Sequence, residues 1–288
     1  MNMQQYIYHA YAKINLLLDV TGKLPNGYHS VAMVNHSIDL HDTVTVEVTG
    51  EAGIDIRCNL HGIPLDERNI AHKACKAFGI GNGLRIAIEK RIPPQAGLAG
   101  GSANAAAVLA ALRDIFKPDM PDDTLRKIAQ TVGADVPFCL MGGCCLAEGV
   151  GELLIPLPCI PDDYAVALVK PNFNVSTAQA YATLGGIDIA HPQTKLVIAH
   201  AKQGAWEKLF PLCGNVFEQA ICFTALNRVK QDTLQAGALL AQMTGSGSAV
   251  FAVYRRADNP DAILQALAQL GSVTTHRFVP CGVRRAPA

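Results

Sequence analysis

The sequence predicts an α+β chain of two domains, on three observations. Alternating, strand-like patterns dominate the first part. A glycine-rich loop feeds a helix after Pro93. Beyond Gly143 the pattern changes, and Pro156, Pro158 and Pro161 crowd a short connector. With 288 residues, 50% of them apolar and 17% charged, the composition is globular and long enough for two domains of ordinary size. The boundary is set in the connector, giving domains 1–155 and 156–288.

From Tyr8 to Gly22, Ala12, Ile14, Leu16 and Leu18 share one face of a strand, and Lys13, Asn15 and Leu17 share the other. Pro25-Asn26-Gly27 reads as a turn, followed by Tyr28-His29 and an extended stretch toward Leu40. Thr43 to Thr49, with Val44, Val46 and Val48 in phase, predicts another strand, as do Gly53 to Asn59 and Leu84 to Ile88. All read as antiparallel, half-buried strands. Asn69 opens a helix over 70–78. A second helix spans 103–116 and stops before Pro118. A third begins at Asp122-Asp123, whose carboxylates suit an N-terminus, and ends at Gly133. The second half predicts a strand at 164–169, a helix capped near Ser176-Thr177, helices around 199–210 and 216–235, and a strand at 249–254. A second glycine loop, Thr244 to Ser248, precedes that last strand. The tail from Cys281 to Ala288 is expected to fray or pack loosely.

Lys plus Arg and Asp plus Glu both number 24, with no run of like charge, so neither nucleic acid nor a membrane is the expected partner. The longest purely apolar run, Ala105 to Leu112, is far short of the roughly 18 residues of a spanning helix. The N-terminus lacks the basic start and apolar centre of a signal peptide. Nine cysteines without a Cys-x-x-Cys pair fit free thiols in the cytoplasm better than disulfides or structural zinc. No metal-ligating side chain is assigned, and a monomer or weak homodimer is expected.

The stretch Pro93 to Ser102 runs into an alanine-rich helix. Unpaired N–H groups and the helix dipole make such a terminus an anion site, and Gly97, Gly100 and Gly101 permit close approach and positive φ. Ser102 is placed as the cap. A plain serine-capped loop explains the same residues equally well. No Lys follows the glycines as in a Walker A loop, and Gly-x-Gly-x-x-Gly is missing, which disfavours the Walker and dinucleotide folds.

Three motifs in order, Ala12-Lys13-Ile14-Asn15-Leu16, Pro93 to Ser102 and Thr244-Gly245-Ser246-Gly247, resemble those of the GHMP small-molecule kinases and cover nearly the whole chain. Gly27-Tyr28-His29 and Gly133 to Phe138 resemble the branch that acts on a cytidylyl sugar-alcohol phosphate. The resemblance implies an N-terminal domain like ribosomal S5 domain 2, a ferredoxin-like C-terminal domain, ATP and Mg2+, and transfer of the γ-phosphate to a tertiary hydroxyl. Asp135 would be the base, held in a defined backbone by Val136, which Pro137 biases toward extended geometry. Lys13 would keep it ionised and neutralise charge. Taken alone, Asp135 is a turn residue and Lys13 a solvated strand lysine.

By the same matching Tyr28 and His29 hold the cytosine, with Tyr181 as a second aromatic wall, Thr177 as a further substrate contact, and Asn15 near the reacting end. A buried tyrosine beside a surface histidine is the plainer reading of Tyr28 and His29. ATP would meet Pro94, Gln95, Ala96, Gly97, Leu98, Ala99, Gly100, Gly101 and Ser102, with Asn69 and Lys90 near the adenine. Lys90 reads equally well as a solvated strand end. Relatives often carry glycine where this chain has Gln95, Ala96 and Ala99, and a second serine where it has Ala103. That substitution leaves Mg2+ to ATP and water. A sibling kinase, the family's decarboxylase branch and a non-enzymatic sensor are the alternatives. A stacking pair argues against the first, the lack of an Arg cluster against the second, and the presence of both Lys13 and Asp135 against the third.

Overall fold

The computed structural model describes residues 5–25, 29–221 and 224–287. One sheet collects β1 (Gln5–Lys23), β2 (His29–Val48), β3 (Ile54–Cys58), β4 (Leu84–Glu89), β5 (Cys144–Glu148), β6 (Leu153–Leu157) and, from the far end of the chain, β11 (Val283–Arg285). Its order is β11-β1-β2-β4-β3, with β5 on the remaining stretch of β2 and β6 outside β5. The sheet therefore forks along β2: residues Met33–His36 pair with β5, and Thr43–Val48 pair with β4. A register shift opposite Tyr11/Ala12 falls between the two branches.

Helices α1 (Ile70–Phe78), α2 (Gly100–Phe116), α3 (Asp122–Val132) and α4 (Val136–Met141) cover one face. Asn69 caps α1 as expected, its Oδ1 accepting from Ala71 N at 2.9 Å. The small side chains of α2, Ala103 and Ala105 to Ala107 among them, are wholly buried, which lets the helix lie close to the sheet.

The second sheet orders β7 (Tyr164–Val169), β8 (Leu240–Met243), β9 (Val250–Arg255) and β10 (Val273–Arg277) as β10-β7-β9-β8, all antiparallel, which is the ferredoxin-like arrangement. Both faces of β7 are buried, and the period of two divides them cleanly. Ala165, Ala167 and Val169 meet α9 (Thr224–Gln235) and α10 (Asp261–Ala268). Tyr164, Val166 and Leu168 share a core with Ile14 and Leu16 of β1, with Leu98 of the glycine loop, and with α6 (Thr194–Lys202) and α7 (Trp206–Leu209). Two shorter helices, α5 (Thr177–Leu184) and α8 (Phe217–Ala220), pack beside the outer end of β1.

Several expectations are corrected. The stretch after His29 and the Thr43 strand form one strand, β2, which bends at its bulge rather than ending. β3 runs parallel to β4, because α1 provides a crossover between them. The helix expected at 199–210 breaks at Gly204 (φ 65°), and the one at 216–235 is two pieces, α8 ending at Ala220 with Ile221 leaving helical geometry (φ -110°, ψ 85°). The tail does not fray: Val283–Arg285 pairs with Tyr8–Ala10, and Tyr11 N donates to Gly282 O at 2.9 Å. The division set after residue 155 falls within β6. Every described cysteine is free; Cys222 lies outside the described residues.

Candidate functional site

The glycine loop is a tightly held bridge. Lys13 N donates to Leu98 O at 3.2 Å and Ala249 N to Ala96 O at 3.1 Å, so one residue faces β1 and the other β9, with both side chains buried. Gln95, Gly97 and Ala99 take positive φ. The expectation for Gly100 and Gly101 is thus corrected: they are the first helical residues of α2, and left-handed geometry falls on a glutamine and an alanine instead. At Gly97 glycine is obligatory, because a Cβ there would lie 2.1 Å from Thr244 O. The two glycine loops meet backbone to backbone.

Ser102 is not the cap. Ala99 occupies that position, with no side-chain acceptor, so among the described residues the N–H groups of Gly100, Gly101 and Ser102 and the Ser102 hydroxyl have no partner. Gly100 and Gly101, though not Ser102, line a cleft of about 400 Å³ together with the rest of the loop, with Pro64 and Asn69 ahead of α1, and with Lys90 and Asn104. An uncapped N-terminus in a cleft is suited to an anion. Lys90 is not solvated: its side chain is 5% exposed and its ammonium pairs with Asp42. Asn69 also spends its amide locally, on Ala71 N and on Pro64 O. A second hollow of about 490 Å³, lined by Thr177, Ser246 and Gly247, lies across Gln95 and Gly97.

Lys13 and Asn15 point the same way along β1, as alternation requires, and both are buried. Asn15 leaves no group for a substrate. Its Oδ1 accepts from Lys13 Nζ at 2.6 Å, Gly245 N at 2.8 Å and Thr244 Oγ1 at 3.2 Å, while its Nδ2 donates to Asn35 Oδ1 at 2.6 Å. It fastens the second glycine loop to β1, a role that the polar face of the strand did not announce.

Asp135 is the N-cap residue of α4 but makes no cap bond, and among the described residues its half-buried carboxylate has neither hydrogen bond nor ion pair. Val136 is helical rather than extended, since Pro137 sits in the first turn, where its missing N–H costs nothing. Lys13 is not within 4.0 Å of the carboxylate, yet both charges act on the Cys139 thiol, which burial first and then Asp135 push up. Asp135 also acts on the Tyr181 phenol, raised chiefly by burial. The Asp135 carboxylate is thus near enough to act on both the Cys139 thiol and the Tyr181 phenol, and the Lys13 ammonium on the first of these.

The wall is made by His29 and Tyr181, whose rings stack at 4.8 Å, with Phe217 set edge-on behind Tyr181 at 4.8 Å. At that spacing the two rings occupy each other's faces, so a base does not fit between them as expected; it stacks on an outer face, or the rings part. Tyr28 lies outside the described residues. Thr177 Oγ1 meets Ser246 Oγ at 2.8 Å, tying α5 to the second glycine loop. No motif marks Asp42 or Asn104, but Asp42 falls in phase with Val44 and Val46 on the inward face of β2, a charge where apolar residues belong.

Residues 67–143 match the family model of the GHMP kinase N-terminal domain, and 199–273 that of the GHMP kinase C-terminal domain. The chain is 42% identical over 252 residues to a 4-diphosphocytidyl-2-C-methyl-D-erythritol kinase of Lachnoclostridium phytofermentans, covering 85% of this chain and 86% of that one. It is 42% identical over 259 residues to one of Clostridium tetani, covering 88% and 92%. A crystal structure of 4-(cytidine 5'-diphospho)-2C-methyl-D-erythritol kinase superposes with a TM-score of 0.75 at 31% identity, over 94% of this chain and 98% of the other. A homoserine kinase from Cytophaga hutchinsonii reaches a TM-score of 0.77 over 99% and 98% of the chains at 18% identity, a likeness of fold alone.

Proposed function

The chain belongs to the GHMP kinases, in the family of the 4-diphosphocytidyl-2-C-methyl-D-erythritol kinases, and from that premise we propose how its own residues perform the reaction. ATP gives its γ-phosphoryl group to the 2-hydroxyl of 4-diphosphocytidyl-2-C-methyl-D-erythritol, a step of the non-mevalonate route to isoprenoid precursors. The observation that carries this reading is the unpartnered Asp135 carboxylate, which shares its surroundings with Lys13 and Tyr181.

The triphosphate lies along the open first turn of α2, its charge met by the N–H groups of Gly100, Gly101 and Ser102. Asp135 accepts the hydroxyl proton while the oxygen bonds to the γ-phosphorus and the bond to the β-phosphate oxygen breaks, releasing ADP. Lys13 offsets the negative charge that gathers between them. His29, Tyr181 and Tyr28 take the cytosine. Mg2+, when bound, neutralises phosphate charge. The available donors suit it, since the Ser102 hydroxyl is unengaged and Ala103 offers none, which leaves the remaining ligands to phosphate and water. The free thiols support a reducing, cytoplasmic setting.

The test is ADP release with ATP and Mg2+ across the cytidylyl methylerythritol compound, mevalonate, phosphomevalonate, homoserine and galactose. Activity confined to the first is expected. Turnover of another alcohol instead would keep the kinase and discard the base-binding role of His29 and Tyr181.

A further inference from the structure

Asp42 is 0% exposed, at the point where the first sheet forks. A buried carboxylate is tolerated only when its lone pairs are filled. Here all are. Oδ1 accepts from Arg91 N at 2.7 Å and Ile92 N at 2.8 Å, and Oδ2 accepts from Asn104 Nδ2 at 2.8 Å and from the Lys90 ammonium. Lys90 Nζ donates in turn to Asn104 Oδ1 at 3.3 Å.

The identity of the donors is informative. Lys90, Arg91 and Ile92 directly precede the glycine loop, and Asn104 lies on α2 just past it, so one carboxylate grips both ends of a loop whose middle bends through three positive-φ residues. Lys90 Nζ also lies 3.0 Å from where a Cβ on Gly100 would be. The ammonium thus sits against the first residue of α2, beneath the open turn, with two of its three protons spent on Asp42 and Asn104. Lys90 and Asn104 both line the cleft, whereas Asp42 does not.

We propose that Asp42 is a positioning residue for nucleotide binding: it sets the span of the phosphate loop and aims Lys90 at the cleft without touching the ligand. The proposal rests on the nucleotide reading of that cleft and deepens it. Nothing in the bonding of Asp42 reaches His29, Tyr181 or Asp135, so its influence belongs to ATP and not to the second substrate.

Asp42→Asn separates the two halves of the cluster. Its amide oxygen still accepts from Arg91 and Ile92, but its NH2 faces two donors, and Lys90 loses its anion. In the full-length protein, titration with ATP is expected to show affinity at least tenfold weaker, with KM for the cytidylyl substrate within twofold and kcat at saturating ATP within threefold of the parent. A purely structural role would lower Tm and weaken both substrates alike, and that result, or unchanged ATP affinity, overturns the proposal. If Asp42→Asn does not fold, Asn104→Ala takes its place, because it leaves the Lys90 pair and both backbone bonds intact. It is expected to weaken ATP severalfold with the second substrate unchanged, and equal affinity overturns the proposal. Failure of the parent protein to bind ATP would instead remove the nucleotide reading itself.

Discussion

Asp135 and Lys13 illustrate what a residue owes to its surroundings. Each is unremarkable by composition, and the structure gives each an unusual state: a carboxylate with no partner among the described residues and an ammonium 4% exposed whose hydrogen bond goes to a neutral amide. Asp135→Asn removes the proton acceptor while leaving the α2 turn untouched, so kcat should fall by about a thousandfold with ATP binding unchanged; single-turnover kinetics beside an ATP titration checks both halves. Tyr181 is near enough for the Asp135 charge to act on its phenol. Its replacement by Ala removes a stacking face worth about 1 kcal/mol, so KM for the cytidylyl substrate should rise roughly fivefold while that for ATP holds; an equal rise for both would place Tyr181 in the frame rather than the site. Lys13 and Asn15 were legible as a pair from alternation alone. Their division of labour was not, because the bonds of Asn15 go to Gly245 and Thr244, more than two hundred residues away, and no local pattern encodes them.

The elements that read correctly were those whose signals are local. Asn69 capping α1, Gly133 closing α3 and the β7 run were all written within a few residues. Strands β5 and β11 depend on distant partners in β2 and β1, the four-residue β8 is too short to show a period, and the prolines around 156 disguised an edge strand that pairs on one side only. The glycine loops were legible as loops but not as contacts. Their meeting makes Gly97→Ala severe, since its Cβ would lie 2.1 Å from a carbonyl. About 3 kcal/mol of stability and most ATP affinity should go, whereas Ala99→Gly, at φ 55°, should be tolerated. Denaturation curves of the two variants decide between them. The tail acts similarly on α4: a Cβ on Gly282 would fall 1.9 Å from Cys139 O, on the helix that begins beside Asp135. Gly282→Ala should lower Tm by roughly 5–10 °C and reduce kcat more than it raises either KM. An unchanged kcat would show that the base is positioned without the tail.

Across the whole molecule the two sheets are joined at a seam, and His36 sits in it. The ring is wholly buried, with Phe278, just after β10, edge-on at 4.7 Å. Its Nδ1–H donates to Ser37 O at 2.9 Å, and its Nε2 accepts from Ile160 N at 3.1 Å, in the connector between the sheets. That pattern needs a neutral imidazole, because a second proton on Nε2 would confront the Ile160 N–H. Burial accordingly pushes the group down to about 4, against a smaller opposing pull from the Ser37 carbonyl. The sign follows from linkage. Between the ordinary histidine value of about 6.5 and the folded value, the unfolded chain binds a proton that the folded one refuses, so stability is full above that window and lost as pH falls through it, by about 3 kcal/mol at pH 4. His9, lowered by burial and by its neighbour His41, contributes in the same direction. Urea unfolding at pH 7 and pH 4.5 should show the loss, and His36→Gln should flatten it by close to one proton of linkage while weakening the protein at pH 7. A variant that keeps the parent slope would place the acid sensitivity elsewhere and leave the seam to apolar packing, chiefly the core that Ile14, Leu98 and Phe251 share across the two sheets.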